Sequence, residues 1–110
     1  MVHTPTCILS RIADVLNQNI SDPDFSIPEF CECLDISRTH LHRKLTELTG
    51  LSTSHYIRQL RLERAKELLQ TTDLLVYEVA YQVGFRNVAH FSASFSDTFG
   101  FPPKTAKQKC

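Results

Sequence analysis

Arg38, Thr39, His42, Arg43 and Thr46 lie one, three and four positions apart in the stretch 38–49. At that spacing they share one face of a helix. Guanidinium, imidazole and short hydroxyl groups on an exposed helix are the donors that phosphates and base edges require. The same side chains would also make an ordinary solvated face. Elsewhere no nucleophile–base–acid grouping, paired-carboxylate site, phosphate-cradling glycine loop or metal-ligand spacing appears. No catalytic site, metal or cofactor is therefore expected, and the chain is not read as an enzyme. Cys31 and Cys33 stand two apart on a probable helix, so they point to different faces. With Cys7 and Cys110 they are expected to be buried or idle thiols.

Charge sharpens the picture. The 110 residues carry no net formal charge, but the distribution is uneven. Residues 1–36 hold one base and six acids, net −5, whereas residues 37–71 hold seven bases and three acids, net +4. Residues 72–100 come to −2 with only Arg86 basic, and the tail 101–110 is +3. Positive charge is thus concentrated on and after the polar face described above, a distribution that matters more than the total. No apolar run approaches the ~18 residues of a membrane span, and no signal peptide is evident. A cytoplasmic protein without membrane association is expected.

The elements that must position this face are all helical. Thr4-Pro5 suits a helix start, and Ile8, Leu9, Ile12, Val15 and Leu16 mark an amphipathic helix to about Asn19. Turn chemistry makes residues 21–24 a loop. Ser26 and Glu29 form a capping box for a short helix over 27–34, and Asp35-Ile36 forms a tight turn. Ser37 caps the helix 38–49, whose Leu41, Leu45 and Leu48 are expected to face inward. Gly50 ends that helix and Ser52 caps a long one running to Gln70. It carries apolar side chains on more than one face and spans roughly 27 Å at ~1.5 Å per residue, long enough to act as a spacer. After Thr71-Thr72-Asp73, a short helix from Val76 is ended by Gly84, and Asn87 caps a longer one, 88–99, with Phe91, Phe95 and Phe99 on one face. Pro102-Pro103 opens a last short helix to about Lys107. A short helix, a turn and a longer helix make a helix-turn-helix, and the pattern occurs twice, with Leu41 and Phe91 in equivalent places. The expected fold is all-α, about seven helices: a first helix-turn-helix subdomain over 1–51, a linker helix over 52–71 and a second subdomain over 72–110.

The segments SRTHLHRKLTELTGLSTSHYIRQLRLERAKELL and VYEVAYQVGFRNVAHFSASFSDTFGFPP carry a resemblance to the DNA-binding domain of the AraC/XylS family of bacterial transcription activators. It covers about residues 8–105. Its most specific carriers are Gly50, Tyr56, Ile57, Arg61, Ala65, Leu68-Leu69, Ala80, Gly84-Phe85, Phe91, Phe95, Phe99-Gly100 and Pro102. The resemblance implies that each second helix enters a major-groove segment of double-stranded DNA, two segments about 34 Å apart on one face. It implies base reading by Thr39, His42 and Arg43, with Arg38 and Lys44 as phosphate contacts. It further implies a parent chain with a sensor or dimerisation domain, contact with RNA polymerase, and a likeness to output modules of two-component regulators.

The second reading helix departs from the family. Val88, Ala89, Ser92 and Ala93 would face the groove, all short and none cationic, where a basic residue usually stands at position 93. Weak readout is expected there, with Arg86, Asn87 and the helix start holding phosphate and Ala89 or Ala93 touching a thymine methyl. Asp35 replaces the common turn glycine. The usual aromatic–arginine ending is absent from Pro103-Lys104-Thr105-Ala106-Lys107, so the final helix lacks the family's packing residues. Zero net charge and the bare second helix also fit an alternative, a protein-interaction module that kept the fold and lost DNA binding.

Overall fold

Helix-start and helix-stop chemistry determines the element boundaries. The computed structural model describes residues 5–107, with side chains from residue 8 onward. Thr4, Cys110 and the side chain of Cys7 lie outside the described residues. Seven helices and no strand occur among the described residues: α1 (Pro5–Gln18), α2 (Ile27–Leu34), α3 (Arg38–Thr49), α4 (Thr53–Thr71), α5 (Val76–Gln82), α6 (Val88–Phe99) and α7 (Pro103–Lys107). None is long and apolar enough to cross a membrane.

The two short-helix ends are built alike. After α2, the Asp35 N–H donates to Glu32 O and the Ile36 N–H to Cys31 O, both at 3.2 Å. After α5, the Gly84 N–H donates to Tyr81 O at 3.1 Å and the Phe85 N–H to Ala80 O at 3.0 Å. Each is a Schellman ending, which requires one left-handed residue followed by an apolar one. Asp35 supplies it at φ 58° and Gly84 at φ 89°. Asp tolerates this geometry better than most residues, so the missing glycine of the first turn is accommodated. The long helices repeat the symmetry. Ser37 Oγ accepts from the His40 N–H and Asn87 Oδ1 from the His90 N–H, while Gly50 and Gly100 close α3 and α6.

The chain packs as two compact units. The first holds the residues up to Asn19 together with Phe25–Arg58. In it α1, α2 and α3 pack on one another around Ile12, Leu16, Phe30, Leu34, Leu41 and Leu45, and the first turns of α4 add Tyr56. Leu48 lies on the same stripe as Leu41 and Leu45 but is only half-buried, near the end of the helix. The second unit comprises Ile20–Asp24 and the described residues from Gln59 onward. Its core gathers Ile20, Leu62, Ala65, Leu69, Val79, Val83, Phe85, Phe91 and Phe95. Burial of each large side chain stabilises by about 1.5–3 kcal/mol. The loop 21–24 is polar, as expected, yet its flanking Ile20 belongs to this second core. The final helix also packs: Pro103 and Ala106 are buried in α7, and Lys107 Nζ donates to Leu74 O at 2.9 Å. Pro103 and Ala106 thus give this helix its buried face.

Arg61 of α4 is 7% exposed. Its guanidinium donates to Ile20 O at 2.8 Å, Val83 O at 2.7 Å and Asp22 O at 3.2 Å. Burial pushes its pKa below the ordinary value, and the nearby Asp22 carboxylate opposes that shift; an arginine stays charged regardless. A Cβ at Gly84 would overlap the Arg61 guanidinium and Ile20 O, whereas at Gly50 and Gly100 it would meet nothing within 4 Å. Alanine in the left-handed region costs about 1–2 kcal/mol anywhere, and a displaced buried hydrogen-bonding group adds about 1–3 kcal/mol. Gly84→Ala is therefore expected to lower unfolding free energy by roughly 2–5 kcal/mol and Gly50→Ala or Gly100→Ala by only the first of these terms. Urea unfolding of the three variants checks the ranking, and three equal losses would contradict it.

Candidate nucleic-acid interface

Leu41 and Leu45 are fully buried and fix which way α3 faces. Helical geometry then sends Arg38, Thr39, His42, Arg43 and Thr46 outward, and all five are exposed. The side chains of Arg38, Thr39, His42 and Arg43 make no hydrogen bond or ion pair with any described residue. They stand ready for an external partner. Lys44 and Thr46 are engaged locally. Lys44 is half-buried beside Glu47, Nζ to carboxylate 3.9 Å, and Thr46 Oγ1 donates weakly to Leu51 O at 3.4 Å.

An open concavity of about 610 Å³ adjoins the same face, lined by Ile27, Arg38, Thr39, His42, Ser52, Thr53 and Ser54. Ser52 caps α4, its Oγ accepting from the His55 N–H at 3.3 Å. Sequence reasoning took Ser52 only as a cap and gave Thr53 and Ser54 no role. Their one signal was the run of three hydroxyl residues opening a helix. In the fold that run lines one hollow together with the starts of α2 and α3.

The α6 face is different. Phe91 and Phe95 are fully buried and turn Ala89 and Ala93 outward, with Ser92 half-buried. Val88 does not face outward as expected: it is half-buried and packs against the second core, one turn before Phe91 and Phe95. Asn87 spends its side-chain oxygen on the cap. Arg86 is paired with the Asp24 carboxylate, both side chains being mostly exposed. His90, which is not among the residues expected to contact DNA, lies edge-on to Phe85 with ring centroids 5.5 Å apart. Four of the polar residues that the sequence grouped on α3, Arg38, Thr39, His42 and Arg43, are therefore brought together without a partner among the described residues, while those of α6 are capped, paired or absent.

Comparison with known proteins follows the same lines. A family model described as a helix-turn-helix domain matches residues 30–109. The chain is 39% identical over 95 residues to the transcriptional activator NphR of a Rhodococcus species, covering 86% of this chain and 28% of that protein. It is 34% identical over 102 residues to the transcriptional activator RhaR of Klebsiella pneumoniae, covering 93% of this chain and 36% of that one. It thus spans about a third or less of the length of these relatives. Among solved structures, a Chromobacterium violaceum transcriptional regulator with an AraC-type DNA-binding domain superposes with a TM-score of 0.84 at 27% identity, over 93% of this chain and 90% of that one. The C-terminal domain of AraT, a response regulator of Geobacillus stearothermophilus, gives 0.80 at 28%, over 94% and 85%. The DNA-binding domain of AdpA, solved with a target DNA, gives 0.75 at 25%, over 88% and 89%.

Proposed function

The chain belongs to the AraC-type family of helix-turn-helix domains, and from that premise we propose that it binds a specific duplex DNA sequence to regulate transcription, reading it mainly with α3. The observation that carries this reading is the set of unattached donors on α3, Arg43 above all. A guanidinium with no internal partner can take guanine O6 and N7 together, which discriminates by about 1–3 kcal/mol. Thr39 and His42 flank it for neighbouring base edges. Arg38 and Lys44 supply phosphate contacts, which position the helix rather than specify sequence.

The second helix contributes less. Ala89 and Ala93 offer only methyl contacts and Ser92 a partly covered hydroxyl. Arg86, its one cation, is held by Asp24. This bareness, with zero net charge, also supports the second reading, a module that binds protein instead. The two part company in salt. Phosphate contacts release counterions, so DNA affinity falls steeply as salt rises. In the parent protein, a sensor or dimerisation domain would control this output and RNA polymerase would receive it.

Fluorescence anisotropy on a duplex recovered by selection from random DNA tests the first reading. Arg43→Ala should weaken binding by about 1–3 kcal/mol and relax preference at one base pair. Affinity indifferent both to salt and to Arg43→Ala would overturn it in favour of the interaction module. The selected site should show one sharp half and a blurred second half a helical turn away.

The pairing of Arg86 generates a separate expectation. An exposed ion pair contributes about 0–1 kcal/mol to stability. Asp24→Asn should therefore leave thermal unfolding nearly unchanged while freeing Arg86 for phosphate, tightening DNA binding about two- to fivefold at low salt. Unchanged or weaker binding would show that Asp24 does not restrain Arg86.

A further inference from the structure

We infer that His42 makes DNA recognition depend on pH: it takes up a proton as α3 enters the major groove, and as imidazolium it reads a guanine. The inference rests on the DNA-binding reading above. His42 is exposed, one helical turn after Arg38 and next to Arg43. Its ring makes no hydrogen bond, ion pair or ring contact with any described residue. No described group therefore selects its tautomer or supplies it with a counter-charge.

The surroundings leave that role to an outside partner. On α3, Arg38 and Arg43 are equally unattached, and the one acid of the helix, Glu47, stands 3.9 Å from Lys44 Nζ. From α2 the hollow that His42 lines receives only Ile27, and from the start of α4 it receives Ser52, Thr53 and Ser54, none of them charged. The nearest titratable groups of those two helix starts are occupied. Glu29 accepts from the Ser26 N–H at 3.3 Å, and His55 Nδ1 lies 3.4 Å from Ser52 Oγ. A duplex brings what the chain withholds. Its phosphates favour a cation beside them, and guanine presents two acceptors, O6 and N7, to the groove.

Histidine is the side chain whose charge ordinarily changes between about pH 5 and 8. The neutral ring has one donor and one acceptor, which suits the mixed edge of adenine, whereas the imidazolium has two donors and suits guanine. The sign follows from linkage. A proton held more firmly in the complex than in the free chain makes affinity rise as pH falls, and the gain is lost as pH rises. One proton limits the effect to about tenfold per pH unit. His40, two residues earlier, points to a different face. His90 stands against Phe85 in the second unit.

Anisotropy on the selected duplex, at constant ionic strength over about pH 6–8, tests this with the whole chain. His42→Gln is compared with His40→Gln, His55→Gln and His90→Gln, each checked for an unchanged melting temperature. Wild type should bind about three- to tenfold more tightly at the acid end. His42→Gln should give a flat profile, and the other three variants the wild-type slope. Selection from random DNA at each end of the range should enrich guanine at one position at the lower pH for wild type, and return the same pool twice for His42→Gln. Salt- and Arg43-dependent binding that ignores pH, or a slope that survives His42→Gln, would overturn the inference and spare the DNA reading. A slope specific to His42 with identical wild-type pools would overturn the guanine assignment. Affinity indifferent to salt and to Arg43→Ala at every pH would sink both.

Discussion

The second unit is organised around a single charged side chain that has no charged partner in direct contact. Arg61 reaches from α4 to three backbone carbonyls: Ile20 and Asp22 of the segment after α1, and Val83 at the end of α5. A buried guanidinium is costly unless its N–H groups are satisfied, and carbonyls at chain ends and helix ends need donors for the same reason. Each need answers the other. The arrangement ties a helix, a loop and a helix end together without any side-chain complementarity. It also explains why the two turns differ. The first turn holds Asp35 in the left-handed region, while in the second the guanidinium occupies the volume a Cβ would need, so only glycine fits.

That difference aside, the two helix-turn-helix frames coincide down to individual hydrogen bonds. Both short helices end with the same pair of crossed bonds, and both long helices start from a polar cap serving a histidine amide and finish at glycine. What varies is the outer face. Burial acts on Leu41 and Leu45 or on Phe91 and Phe95, and places no demand on the residues opposite. The outward positions can therefore be cationic in α3 and nearly bare in α6 at no cost to folding. Fold and reading chemistry are separable in this chain because different stripes of the same helix carry them.

This separation also decides what the sequence could disclose. The bounds of α2, α3 and α6, the capping box at Ser26, the caps at Ser37 and Asn87 and the left-handed turn at Asp35 all rest on interactions within a few residues, and these were legible. So was the free polar stripe of α3, since helical period alone sets it. Less legible was anything held by main-chain atoms of distant segments. Arg61 carries the family resemblance in the sequence, but its acceptors are carbonyls, which have no sequence signature. The allegiance of Ile20 to the second core, the pairing of Asp24 with Arg86, the inward turn of Val88 and the anchoring of α7 through Pro103 and Ala106 depend on which segments meet. The concavity lined by Ile27, Arg38 and Thr53 depends likewise on which helices meet.

A formal net charge of zero is a weak guide to what such a surface binds. Charges act over about 8 Å at physiological ionic strength, so a phosphate in contact responds to its immediate surroundings. On the α3 face those surroundings are Arg38, His42 and Arg43, unpaired and exposed, with no carboxylate lining the adjoining hollow. Just before α6, Arg86 is already matched by an acid. The acids that cancel the total are thus partly spent where they silence one helix, leaving the other its full field. Neutrality of this kind limits adhesion to arbitrary polyanions, because little attraction remains beyond contact range. Discrimination then rests on the few directional donors of α3, an arrangement suited to choosing among sequences rather than holding any duplex tightly.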